Sequence, residues 1–368
     1  MIAKNVGSLE LTVAQMVWQL SKAYASLIKS NTPFKNFPSV MLWGPPGVGK
    51  SQGIRQIAKN ITEQTSKKVE ITDVRLLLFN PVDLRGIPTA NADKTLAVWL
   101  RPKIFQMDDS EDVVNILFLD EISAAPQSVQ AAAYQITLDR TVGEHKLPDN
   151  CIVVAAGNRV TDRSVAYAMP KALANRLCHI EIAGDHNSWH EWAIGAGINP
   201  MVLGFLDYNP SLLMRFEPTD GLAFPTPRSW EMVSNILNNV SENVVDVFPL
   251  IVGCVGDAAA YELRTWCEVY SRIPDIDDVF NGSATGVPTR PEILFALAAQ
   301  ISTHAKSHHA EQETKNVVAY ATRLPVEFRN RIFTDLLKIK SIRKQLSRIR
   351  EYDDWFLRTG RDWEDYGV

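Results

Sequence analysis

Eight consecutive residues, Gly44-Pro45-Pro46-Gly47-Val48-Gly49-Lys50-Ser51, satisfy the spacing G-x-x-x-x-G-K-[ST], a combination suited to holding a polyphosphate. The glycines let the backbone turn with its N–H groups pointing inward. Lys50 supplies a mobile positive charge to the β and γ phosphates, and Ser51, followed by Gln52, offers a hydroxyl to Mg²⁺. Farther along, Asp120 and Glu121 close an apolar run. An aspartate there orients Mg²⁺ together with Ser51, and the adjacent glutamate is left to accept a proton from water attacking the γ-phosphate. Asn158 closes a further apolar run, where an amide can orient that water or contact the γ-phosphate without adding charge. These residue types call for ATP and Mg²⁺, and for transfer of the γ-phosphoryl group to water.

Such side chains work only if strands deliver them to one edge of a sheet, the edge where the carboxyl ends of parallel strands meet ligands. Pro38–Trp43 is an apolar run of strand length, and Gln52–Gln64 carries Ile54, Ile57, Ala58 and Ile61 on one helical face. A helix over Leu11–Ser30, capped by Thr12, precedes them. Lys68–Arg75 alternates as a strand. Val113–Leu119 is continuously apolar save Asn115 and reads as a strand buried on both faces, as does Cys151–Ala156. A helix is expected over Ser123–Leu138, a short one over Pro170–Leu177, and a last strand over Cys178–Ala183. Turn residues make 83–102 and 139–150 two inserted hairpins. Strands separated by helices predict an α/β fold with a parallel sheet flanked by helices. The expected organisation is a nucleotide-binding core over 1–185, an all-helical lid domain over 186–310 and a helical tail over 311–368.

The ordered series Gly44–Ser51, Ile116–Glu121 and Ala156-Gly157-Asn158-Arg159 resembles the Walker A, Walker B and sensor 1 motifs of the AAA+ ATPases. The hairpin at 83–102 resembles the second-helix insert of the MoxR-type branch. The resemblance covers roughly residues 10 to 300. It implies a homo-oligomeric ring, a hexamer, with both hairpins facing a central pore. It also implies that Arg176, in Ala174-Asn175-Arg176-Leu177, reaches the nucleotide of a neighbouring subunit, with Arg159 and Arg163 as competing candidates. Arg228, in Phe224–Trp230, matches the lid's sensor 2 position. The family further implies a partner with a von Willebrand A-type domain, acted on by chaperone-like protein remodelling.

Two other readings follow from the same architecture: a nucleic-acid motor, and a nucleotide-gated scaffold with little hydrolysis. The first hairpin mixes Arg85, Lys94, Arg101 and Lys103 with Asp83 and Asp93, a poor grip for phosphates, and Glu121 argues against the scaffold. A net charge of −4 gives no global attraction to nucleic acid or membranes. Charge is nevertheless segregated at the end, with nine Lys/Arg against Glu327 and Asp335 over 323–350, then six acids against two arginines over 351–368. The first of these stretches is expected as an amphipathic helix with a solvated basic face. Four separated cysteines predict reduced thiols, mostly buried, and the lack of a leader or long apolar run predicts a cytoplasmic protein. His186 and His190 stand one helical turn apart without a third ligand at zinc spacing, so an ordinary surface helix is expected there, with Trp189 and Trp192 as packing residues.

Overall fold

The computed structural model describes residues 10–159, 169, 174–215, 221–270 and 272–359. Residues 1–9, most of the helix expected over 170–177, the competing candidate Arg163, and residues 360–368 at the end of the expected tail lie outside the described residues. The chain divides into two compact units, Met1–Asp185 and His186–Val368.

In the first unit the strands among the described residues are, in chain order, β1 (Glu10–Leu11), β2 (Val40–Trp43), β3 (Lys68–Arg75), β4 (Ile87–Ala90), β5 (Ala97–Leu100), β6 (Val113–Asp120), β7 (Thr141–Val142), β8 (His145–Lys146), β9 (Cys151–Gly157) and β10 (Cys178–Ile182). Six of them form the expected parallel sheet, in the order β1-β10-β2-β9-β6-β3. β6 and β9 lie inside the sheet and are buried along almost their whole length, which is why they read as unbroken apolar runs. β3 lies at the edge and alternates. The polar exception in β6, Asn115, is 2% exposed, and its side-chain amide donates to the Asp108 carbonyl and to Asn150 Oδ1, so burial leaves it satisfied.

Helices cover the sheet. α1 (Val13–Lys29) opens with a capping box in which the Gln15 N–H donates to Thr12 Oγ1 and the Thr12 N–H to Gln15 Oε1. It packs with α2 (Lys50–Thr65) against one face through Met16, Leu20, Ile54, Ile57 and Ile61. A short α3 (Pro81–Arg85), not foreseen in the sequence, precedes the β4–β5 hairpin, and α4 (Gln127–Asp139) packs on the other face. α4 starts four residues later than the expected Ser123, because Pro126 supplies the break at its N-terminus. Both inserted hairpins are present: β4–β5 and β7–β8 are antiparallel pairs. They meet where a His145 ring nitrogen, Nε2, lies 2.8 Å from the Trp99 carbonyl oxygen.

Among the described residues the second unit is helical, with two apolar cores. One gathers helices Pro200–Tyr208, Pro227–Asn239 and Asp257–Tyr270 around Phe205, Trp230 and Leu263, with Trp189 buried and Trp192 partly buried against it. The other gathers Glu311–Ala321, Val326–Leu337, Lys340–Leu346 and Arg350–Thr359 around Leu297, Ile332 and Phe333. Helix Pro291–His304 serves both, placing Ala296 and Ala299 in the first core and Leu297 and Ile301 in the second. Residues 311–359 are therefore no separate tail. Their apolar face, including Phe328, Ile332, Leu336 and Trp355, needs Pro291–His304 as its cover, and Phe328 meets Phe295 edge-on at 4.9 Å.

The helix at His186 and His190 is not the ordinary surface helix its sequence predicts. His190 is 5% exposed and stands between two buried carboxylates, Nδ1 at 2.9 Å from Asp207 Oδ1 and Nε2 at 3.1 Å from Asp335 Oδ2. Arg331 pairs with Asp207, His186 Nε2 lies 3.1 Å from the same oxygen, and Ser302 Oγ donates to Asp335 Oδ2. Lys338 stands 3.5 Å from Asp335. Burial alone depresses the His190 pKa, but its hydrogen bonds to Asp207 and Asp335 and their charges outweigh burial and raise it overall. The stabilisation from His190 is therefore full below the ordinary imidazole pKa of about 6.5 and disappears as pH rises through the raised folded value. Melting temperature measured against pH should show the deficit of His190→Gln relative to wild type to be largest near pH ~6 and to shrink at alkaline pH. A deficit that grows with pH would contradict this. No helix among the described residues is long and apolar enough to cross a membrane. Of the four free cysteines only Cys151 is fully buried, and the other three are partly exposed because they sit at the margins of their cores.

Candidate functional site

β2 runs directly into the glycine loop. A side chain at position 44 would put its Cβ 2.8 Å from the Ile182 carbonyl oxygen, so glycine lets β10 and the loop approach. Gly47 and Gly49 adopt φ of +78° and +108°, a backbone region that favours glycine. α2 begins at once with Lys50, aiming its N-terminal N–H groups and the positive end of its dipole at the loop. Val48 turns inward to the α1–α2 core, Pro46 is exposed at the tip, and Pro45 contributes its carbonyl to Lys50. Gln52 accepts a hydrogen bond from Arg55 at 3.4 Å.

Four elements converge on this loop. Lys50, 7% exposed, donates from Nζ to the Gly44 carbonyl at 2.5 Å, to the Pro45 carbonyl at 3.1 Å and to Asn158 Oδ1 at 3.0 Å. Ser51 Oγ donates to Asp120 Oδ2 at 3.0 Å. Asp120 ends β6, and its other oxygen, Oδ1, accepts the Glu121 N–H at 2.9 Å. The structure thus brings together Lys50, Ser51, Asp120, Glu121 and Asn158, although Lys50 and Asn158 are 108 residues apart in the chain. Glu121 carries φ +59°, a left-handed conformation that costs a non-glycine residue on the order of 1–3 kcal/mol. Here the turn sends the chain abruptly away from β6, with the Ile122 N–H caught by the Ala156 carbonyl at 3.0 Å.

The donor set suits a hard divalent cation. A serine hydroxyl and an aspartate oxygen 3.0 Å apart, beside a phosphate-binding loop, match the one or two protein oxygens that Mg²⁺ takes alongside phosphates and water. On the neighbouring strand Arg75 stands in register with Asp120, and Asp73 in register with Phe118. Burial first, then the charge of Asp120, push the Asp73 pKa up.

The three arginines are placed differently. Arg159 pairs within its own chain with Glu10 at 3.2 Å and Glu181 at 3.0 Å. Arg176 is exposed in the turn just before β10, and Arg228 is exposed near the start of helix Pro227–Asn239 in the second unit, where Thr226 Oγ1 caps the Ser229 N–H. Sequence reasoning missed several residues here. Ser123, 4% exposed, accepts the Asn158 N–H at 2.9 Å. Trp43 Nε1 donates to His179 Nδ1 at 2.8 Å, which leaves Nε2 as the donor to the Ala174 carbonyl at 2.7 Å and ties the Arg176 turn to the base of the loop. A hydroxyl two residues after an acidic pair is a faint signal for Ser123; no pattern pairs Trp43 with a histidine 136 residues away.

Among the described residues no group of three or more His, Cys, Asp or Glu is arranged to hold a metal by itself. The β4–β5 insert borders a groove of about 500 Å³ lined by Leu78, Phe79, Val82, Ile87, Leu100 and Ile104, flanked by Asp83, Arg101 and Lys103. The apolar residues of the insert lie open, with Ile87 64%, Leu96 67% and Leu100 58% exposed.

No curated protein matches the sequence. Among solved structures, a RuvB point mutant from Thermotoga maritima is 14% identical, with 83% of this chain and 90% of that chain covered and a TM-score of 0.35. NtrX from Brucella abortus in complex with ATP is also 14% identical, with 98% and 70% covered and a TM-score of 0.35. Such scores add nothing to the fold, which rests on the strand order given above. Residues 39–179, from the strand before the glycine loop to the start of β10, match the model of the ATPase family associated with various cellular activities (AAA), and over that span the chain is similar to that family.

Proposed function

We propose that this chain is a Mg²⁺-dependent ATPase of the MoxR-like AAA+ kind, working as a hexameric ring that remodels a partner protein. The observation that supports this best is the convergence of Lys50 with Asn158 and of Ser51 with Asp120 at one end of a parallel sheet. The loop N–H groups and the α2 N-terminus bind the triphosphate, and the Lys50 ammonium exchanges its carbonyl partners for β and γ phosphate oxygens. Ser51 and Asp120 would hold Mg²⁺, which supplies charge neutralisation on the transferring phosphoryl group. Glu121 takes the proton of the attacking water, and the Asn158 amide orients that water. Arg176 from a neighbouring subunit stabilises the charge that develops on the γ-phosphoryl oxygens. The resemblance assigns Arg228 the sensor 2 role. The resemblance suggests a partner with a von Willebrand A-type domain and a cytoplasmic setting.

A protein partner fits the insert better than a polyanion does, because the exposed residues there are apolar and its cations are interleaved with aspartates. Specific ATPase activity should rise with protein concentration as rings form, and Arg176→Ala should lower it by about 10³-fold or more at every concentration. Concentration-independent hydrolysis, untouched by Arg176→Ala, would contradict a shared site. Strong stimulation by single-stranded DNA with steep salt dependence would favour the nucleic-acid motor instead.

A further inference from the structure

The geometry points to Ser123 as a positioning residue that locks the water-orienting amide of Asn158 to the turn carrying Glu121. The inference rests on the ATPase reading above and assigns a further member of that site. Three features carry it. The left-handed turn at Glu121 brings the chain back so that the Ala124 N–H bonds to the Glu121 carbonyl at 3.0 Å, fixing Ser123 inside a closed turn. Ser123 Oγ then accepts the Asn158 N–H at 2.9 Å, across the gap between the end of β6 and the end of β9. Finally, the residue before Asn158 is a glycine whose missing side chain makes room for this contact. A Cβ on Gly157 would stand 2.7 Å from Ser123 Oγ, 3.0 Å from Ser123 Cβ and 2.9 Å from Met41 Cε.

The consequence is a closed circuit of polar contacts. Lys50 bonds to the Asn158 side chain, the Asn158 backbone bonds to Ser123, and Ser123 is two residues from Glu121, whose N–H bonds to Asp120, which accepts from Ser51 next to Lys50. β6 and β9 are held in register as far as Leu119 and Ala155. Beyond that point the Ile122 N–H to Ala156 carbonyl bond and the Ser123 hydroxyl span the two strand ends. Without the hydroxyl, the Asn158 N–H loses its acceptor and the backbone that aims Oδ1 is free to rotate. Glu121 and Asn158 must address the same water, so a small relative displacement lowers turnover without removing any phosphate contact.

Ser123→Ala should therefore reduce kcat by on the order of 10- to 100-fold while ATP affinity stays within about twofold. Ser123→Cys, which keeps a weak acceptor, should recover part of the loss. Gly157→Ala, which displaces Ser123 from the other side, should reproduce the Ser123→Ala pattern. Hydrogen exchange of the peptide containing Asn158 should quicken in Ser123→Ala, with the rest of the sheet unchanged. Glu121→Gln, assayed in parallel, separates the role of Ser123 from the ATPase reading itself. If Glu121→Gln stops hydrolysis and Ser123→Ala does not slow it, the role of Ser123 is refuted and the ATPase reading stands. If kcat, ATP affinity and melting temperature all fall together in Ser123→Ala, the residue is a packing element and the positioning role is refuted. Wild-type protein that binds ATP and never hydrolyses it overturns both.

Discussion

Glu121→Gln should lower ATP turnover by roughly 10²- to 10⁴-fold and leave ATP binding nearly intact. The reason lies in the division of labour at the end of β6. Asp120 is engaged with Ser51 through one oxygen and with the Glu121 N–H through the other, a geometry that suits the metal-holding role proposed for it. Glu121 is turned out of the strand direction by its left-handed backbone and is half-buried, and the proposed mechanism uses its carboxylate as the proton acceptor. The amide of glutamine keeps size and polarity but cannot accept the proton. Lys50→Ala should behave differently, losing ATP affinity as well as turnover, because the ammonium would contact the phosphates in the bound ground state. Equilibrium binding of a fluorescent ATP analogue, paired with phosphate release, distinguishes the two. Loss of binding in Glu121→Gln would contradict the assignment.

Asp207→Asn should destabilise the helical unit by about 3–5 kcal/mol, the usual consequence of breaking a buried ion network from one side. Asp207 is 3% exposed, and its surroundings are cationic: Arg331, His190 and His186 all address Oδ1. Burial alone would raise its pKa, yet His186 beside it, the hydrogen bond with His190 and the charges of His190 and Arg331 bring it down to about 2. Its contribution is thus complete above the ordinary aspartate pKa of about 3.9 and is lost only as pH falls through about 2. Replacing the carboxylate leaves Arg331 and His190 without their shared anion at any physiological pH. The unfolding transition of this unit should move down by roughly 6–20 °C. A shift corresponding to less than about 1 kcal/mol would mean that the network contributes little. The network joins helices His186–Ala196, Pro200–Tyr208, Pro291–His304 and Val326–Leu337, so its loss should also loosen the C-terminal helices from the rest of the unit.

How much of this is legible in the sequence differs by element, for physical reasons. Buried parallel strands announce themselves, since β6 and β9 have no solvent face to vary, and their polar ends mark the ligand edge. The glycine loop is legible because backbone conformation there excludes other residues. β1 is not legible: two residues are too few to show a period, and the strand exists only because β10 offers a partner. The early start expected for α4 fails on one residue, Pro126, and on the turn that Glu121 begins. In the second unit, a helix with histidines one turn apart looks the same whether it faces water or a carboxylate. Asp335, the partner that buries His190, lies 145 residues away. The basic stretch over 323–350 is legible in part: Arg323, Lys340, Arg343, Lys344, Arg348 and Arg350 are exposed as expected, but the stretch breaks into Val326–Leu337 and Lys340–Leu346, and Arg331 and Lys338 turn to Asp207 and to Glu191 and Asp335.

Hydrolysis of ATP with Mg²⁺ by Lys50, Ser51, Asp120, Glu121 and Asn158 is the central claim. Its most direct test is phosphate release from ATP by the purified full chain, with Mg²⁺ present and with Mg²⁺ chelated, beside Asp120→Asn. Release should require the metal and fall by about 10²-fold or more in Asp120→Asn. Release unchanged by chelation and by Asp120→Asn, or tight ATP binding with no release under any condition, would contradict it.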